Sequence, residues 1–135
     1  MKVILDTNIW ISFLIGHRSQ LMRSILTDSR IDVYVCPQLI AEIKDVASRA
    51  KIAKYLMPND VTDMFAIINA FCHNTDLKTE VAYNSVRDPK DIYILSLAET
   101  IGADYIVSGD EDLLVIGQHN NTHIIMLADF KLMIK

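Results

Sequence analysis

The sequence predicts an α/β fold in which a mostly parallel sheet lies between layers of helix. Three observations carry this. Strand-like and helix-like segments alternate from end to end, the pattern of successive strand–helix–strand units. The strand-like segments are short, continuous apolar runs such as "KVIL", as expected of strands covered on both faces. Two of these runs end directly before an acid, Asp6 after "KVIL" and Asp110 after "DYIVSG". In parallel sheets functional groups gather just beyond the carboxyl ends of the strands.

The elements follow in order. "KVIL" is the first strand, and from Asn8 the apolar residues Trp10, Ile11 and Leu14 repeat at helical spacing up to Gly16, a C-cap. "SQLMRSILTDSR" carries apolar residues at 21, 22, 25 and 26, one helix face, and "IDVYVC" is a β-branched second strand. Pro37 opens the next helix, "PQLIAEIKDVASRAKIAKYL", which bends or splits near Ser48. Asn59 and Asp60 start another amphipathic helix, and "LKTEVAY" reads as a short strand. "DPKDIYILSLAETIG" has an acidic first turn and stops at Gly102; "ADYIVSGDEDLL" is strand then loop, "HIIML" a last strand, and "ADFKLMI" a closing helix.

With 135 residues, four glycines, three prolines and no linker or repeat, the expectation is one domain, 1–135. Hydrophobic residues make up 51% and charged residues 22%, which excludes a disordered chain. No apolar run approaches the roughly 18 residues a membrane span requires, and the N-terminus does not resemble a signal peptide. Cys36 and Cys72 sit in apolar surroundings without CxxC spacing, so they read as reduced core residues of a cytoplasmic protein. The net charge of −4 argues against a nucleic-acid partner only if the acids are spread evenly. With four acids assigned to one pocket, the remainder equals the 13 basic residues.

Four acids resist a purely structural account when taken together. Asp6 stands between a core strand and a core helix, Glu42 lies within "LIAEIKDV", Asp91 opens the apolar stretch "IYILSLA", and Asp110 follows a buried strand. Singly, Asp91 fits a helix cap, Asp110 a turn, and Glu42 a surface pair with Lys44 or Arg49. Converging on one pocket, they would repel strongly unless a divalent cation sat among them. Oxygen ligands without a matching Cys or His set favour Mg²⁺ or Mn²⁺ over zinc, and histidines 17, 73, 119 and 123 show no ligand spacing. Such ions suit phosphodiester hydrolysis. Rival α/β chemistries lack their residues: there is no GxGxxG, no GxxxxGK[ST], no GxSxG, and Asn8 stands where an aspartyl phosphatase carries its second acid.

These segments resemble the PIN-domain nucleases over essentially the whole chain. "VILDTNIWIS" is similar to that family's opening strand and first acid, "LIAEI" to the helix with the second, and "RDPKDIYILSLAETIGADYIVSGDEDLL" to the third and fourth. The wording is most similar to the VapC-like branch, the toxin components of type II toxin–antitoxin pairs. The resemblance implies a three-layer α/β/α fold. It implies Asp6, Glu42, Asp91 and Asp110 as the acidic metal site, with Asn8, Ser108 and Asp112 supporting it and Asp88 at a helix start. It also implies Mg²⁺- or Mn²⁺-dependent cleavage of RNA, a homodimer, and a small antitoxin partner. Asp6, Asp91 and Asp110 would hold metal, and Glu42 would bind a second ion or orient water. Arg18, Arg23, Lys44, Arg49, Lys51 and Lys54 are candidates for guiding RNA. A binding module that keeps the site but acts through a partner, and a phosphatase of small phosphoesters, are the alternatives.

Overall fold

The apolar run after Met1 forms β1 (Lys2–Leu5), the inner strand on which the sheet is built, with Val3, Ile4 and Leu5 all fully buried. The computed structural model describes residues 1–16, 18–78 and 91–135. On one side β1 pairs in parallel with β2 (Asp32–Val35), Ile4 opposite Tyr34; on the other it pairs in parallel with β4 (Tyr105–Val107), Leu5 opposite Val107. A two-residue β3 (His73–Asn74) extends the edge beside β2. Beyond β4 lies β6 (Thr122–Ile125), and an antiparallel β5 (Gln118–His119) closes the other edge. The described strands therefore run in the order β3-β2-β1-β4-β6-β5, with every pairing parallel except the last.

Helices cover both faces, giving the three-layer α/β/α arrangement. They are α1 (Thr7–Ile15), α2 (Ser19–Leu26), α3 (Pro37–Ser48), α4 (Ala50–Ala53), α5 (Asp60–Phe71), α6 (Ile92–Ile101), α7 (Glu111–Ile116) and α8 (Leu127–Met133). Trp10, Ile43, Ile94, Leu95, Leu113 and Phe130 reach inward from these helices and are fully buried. On α2 the expected apolar face holds: Met22, Ile25 and Leu26 are buried and Leu21 partly so. No described helix is long and apolar enough to cross a membrane.

The break near Ser48 is real and has a simple cause. Arg49 adopts φ −66° and ψ 138°, an extended conformation that interrupts the helical hydrogen-bond ladder between α3 and α4. Gly102 ends α6 in the left-handed region at φ +65°, where a side chain would be strained. Gly16 ends α1 for a different reason: a Cβ there would stand 2.7 Å from the Ser12 carbonyl oxygen.

Three expectations change. "SGDEDLL" is not all loop, because Glu111 begins α7, six residues being too few to display a helical period. The chain "QHNNT" turns back as the β5–β6 hairpin, with Asn120 at φ 53°. Of the strand expected over "LKTEVAY", Leu77 and Lys78 are outside any strand and residues 79–83 lie outside the described residues.

Candidate metal centre

Two neighbouring strand ends build the floor of the site. Asp6 is the first residue past β1 and Ser108 the first past β4, so the parallel register sets them side by side. Backbone bonds lock both: the Asp6 N–H donates to the Val107 carbonyl (2.9 Å), and the Ser108 N–H to that of Ile125 (3.0 Å). The Ser108 hydroxyl then donates to Asp6 Oδ2 at 2.8 Å, while the Thr7 N–H donates to Oδ1 at 2.8 Å. Asp6 is only 5% exposed. Burial pushes its carboxyl from 3.8 up to about 6; the bonds from Ser108 and Thr7 oppose that rise, and the negative charges of Glu42 and Asp110 add to it.

The third and fourth acids approach from α6 and α7. Asp91 is buried at the head of α6, with helical backbone angles, and its side chain makes no capping bond to that helix. Asp110 is held by the same serine, its N–H donating to Ser108 Oγ at 3.0 Å, and its Oδ1 accepts from the Asp112 N–H at 2.9 Å. One turn of chain thus carries two carboxylates to Asp91. Asp91, Asp110 and Asp112 each bring a possible ligand oxygen to within 4.8 Å of the others. Three oxygens so close, with no nitrogen or sulfur donor among them, fit a hard divalent cation such as Mg²⁺ or Mn²⁺. Asp112, which the sequence offers only as a support, belongs to this group; Asp6 and Glu42 stand beside it.

Glu42, on α3, is gripped through a single oxygen. The Thr7 hydroxyl donates to its Oε2 at 2.9 Å, and the Tyr93 phenol donates to the same atom. The two hydroxyl oxygens lie 3.4 Å apart. Burial, and then the bond to Glu42, raise the phenol well above its ordinary range, so it stays protonated. Neither Thr7 nor Tyr93 is singled out by sequence reading; the available signal is a polar tip at the start of each of two apolar helices, beside an acid.

The remaining candidates are placed as follows. Asn8 is exposed in the first turn of α1, and no side-chain hydrogen bond to a described residue holds it. Arg18 precedes α2, and Arg23 lines a cavity of about 220 Å³ with Ser19, Asp60 and Asp63. Lys44 lies 5.1 Å over the Phe65 ring and Lys54 5.1 Å over that of Tyr55; Arg49 pairs with Asp45 at 3.0 Å, and Lys51 is exposed on α4. Asp88 lies outside the described residues. Both cysteines are free, and burial pushes the Cys72 thiol up to about 12.

The chain and its fold have known counterparts. An uncharacterized protein of Methanocaldococcus jannaschii, MJ1680, is 27% identical over 124 residues, covering 89% of this chain and 77% of its own length. The fold is similar to that of VapBC2 from Rickettsia felis, solved bound to a DNA fragment from its promoter, with a TM-score of 0.58 and 16% identity over 92% of this chain and 97% of that one. It is also similar to the PIN domain of human SMG5, with a TM-score of 0.53 and 12% identity over 100% of both chains. The PIN-domain family model matches residues 2–112, a span that contains every acid of the site. The chain belongs to the PIN-domain nuclease family.

Proposed function

We propose that this protein is a metal-dependent endoribonuclease, acting as the toxin of a toxin–antitoxin pair. The observation that carries the nuclease reading is the meeting of Asp91, Asp110 and Asp112 beside the buried Asp6, at the carboxyl edge of a PIN-domain sheet. Those four residues would hold Mg²⁺ or Mn²⁺. When bound, the cation would supply Lewis-acid stabilisation of charge on the phosphoryl oxygens and a more acidic water.

The chain's own residues do the rest. Ser108 orients Asp6 and, through the Asp110 N–H, the turn carrying Asp110 and Asp112. The negative charge of these carboxylates would balance that of the cation. Glu42 presents a carboxylate close enough to Asp6 for its charge to be felt there, suited to accept a hydrogen bond from an attacking water. The acids would repel an RNA backbone without the ion, which makes binding as well as chemistry depend on it. Arg18, Arg23, Lys51 and Lys54 would attract the flanking phosphates, so affinity would fall steeply with salt.

The toxin reading rests on the likeness to VapBC2 together with "SGDEDLL" and "RDPKD". It brings a small antitoxin as partner and a homodimer as the working form. The two free cysteines suit a reducing cytoplasm. Cleavage of single-stranded RNA with Mn²⁺ or Mg²⁺, by wild type and Asp6→Asn, tests the nuclease: loss on substitution and in excess EDTA is expected. Equal cleavage by both proteins, or cleavage in EDTA, would refute it. Rescue of growth by a co-expressed upstream small protein tests the toxin role separately.

A further inference from the structure

Three helices meet at one atom of the site. Thr7 at the start of α1 and Tyr93 near the start of α6 both point a hydroxyl at Oε2 of Glu42 on α3. No described cation joins them, so the position of Glu42 is set by two neutral donors. Fixing a long, rotamer-rich side chain this way removes the entropy it would otherwise lose during the reaction. Among the described residues none donates to the other oxygen, Oε1. With Oε2 committed to two hydroxyls, Glu42 is unsuited to bidentate ligation, and it lies outside the three-carboxylate group of Asp91, Asp110 and Asp112.

We propose that Tyr93 is a positioning residue whose phenol, with the Thr7 hydroxyl, holds Glu42 off the ion bound by Asp91, Asp110 and Asp112, so that Glu42 serves the reaction through Oε1. The inference rests on the nuclease reading above and adds a division of labour to it: the aspartates, Asp91, Asp110 and Asp112 with Asp6 beside them, for the ion, and one clamped glutamate for the attacking water. Tyr93 also sits two residues from Asp91, so one turn of α6 carries a ligand of the ion and the clamp on the neighbouring acid.

Tyr93→Phe keeps the ring and removes only the hydroxyl. It is expected to lower kcat for RNA cleavage roughly tenfold, with KM and Mn²⁺ affinity by calorimetry within about twofold of wild type. Combined with Glu42→Gln it is expected to lower kcat no further, since both changes break the same unit. Equal losses in the two backgrounds would mark a merely structural role and overturn the proposal. So would a loss of Mn²⁺ affinity beyond about fivefold in Tyr93→Phe, which would make Glu42 a ligand of that ion. If the wild-type protein cleaves no RNA the nuclease reading falls, yet the Mn²⁺ titration still decides the clamp. Glu42→Gln within about twofold of wild type, beside a loss of more than about tenfold in Asp110→Asn, supports it. Similar losses in both, or no Mn²⁺ binding by wild type, overturn it.

Discussion

The hydroxyl of Ser108 donates a 2.8 Å hydrogen bond to Asp6 Oδ2, joining residues 102 positions apart. It simultaneously accepts the Asp110 N–H at 3.0 Å, so one small side chain ties the first acid of the chain to the turn carrying Asp110 and Asp112. Ser108→Ala removes both partners inside a buried site. A loss of about 1–3 kcal/mol of stability is expected, read from denaturant unfolding. Without this bond, which lowers it, the Asp6 carboxyl rises beyond about 6. The pH at which activity appears should therefore move upward, and an unchanged pH profile would contradict that role.

Asp6 should weaken the metal-free fold at neutral pH. Its carboxyl is raised from 3.8 to about 6, chiefly by burial, so the folded chain holds that proton more tightly than the unfolded chain. Its contribution is fully present below about pH 4 and is lost as pH rises through about 6, a change of about 3 kcal/mol. Asp6→Asn removes this dependence. In EDTA above pH 7 the variant should be more stable than wild type although inactive. Parallel stability-against-pH curves for the two proteins would exclude the buried charge as the cause.

Cations should stabilise the wild-type chain by mass action. At a free Mn²⁺ concentration of about 100 times Kd the gain is about 2.7 kcal/mol, visible as a rise in Tm. Asp110→Asn should abolish most of the rise. Because the proton on Asp6 competes with the ion, the rise should also shrink as pH falls through about 6. A Tm that responds equally in wild type and Asp110→Asn would place the ion elsewhere.

The turn that presents Asp110 and Asp112 is anchored chiefly by Leu113, with Leu114 and Ile116 partly buried beside it. Leu113 is fully buried, whereas Val115, two residues later on the same helix, is 85% exposed. Leu113→Ala is expected to cost about 2–5 kcal/mol and to weaken Mn²⁺ binding, because α7 can then shift. Val115→Ala should stay within about 0.5 kcal/mol of wild type. Calorimetric melts with and without Mn²⁺ distinguish the two, and similar effects from both substitutions would refute the anchoring role.

The alternation of strands and helices, the acid directly after β1 and the acid three residues after β4 are readable in the chain because each is a local signal: an apolar run, a period, a cap. The expected split near Ser48 likewise shows itself as a change of pattern, and residues 2–112 carry enough of it to define the family. Short elements escape such reading. α7 spans six residues and β3 and β5 two each, lengths at which no period can establish itself.

What only the tertiary structure decided is how the acids divide. From the sequence Asp6, Asp91 and Asp110 are expected to hold metal, Glu42 to bind a second ion or orient water, and, by the resemblance, Asp112 to support them. In the fold Asp112 stands with Asp91 and Asp110, Asp6 is buried against Ser108, and Glu42 is turned toward Thr7 and Tyr93. The sequence by itself determined which residues would reach the carboxyl edge of the sheet, because strand ends and helix starts are written locally. Which oxygen faces which neighbour depends on the register of β1 against β4 and on three helices meeting at Glu42. Those are contacts between distant segments, and no local pattern encodes them.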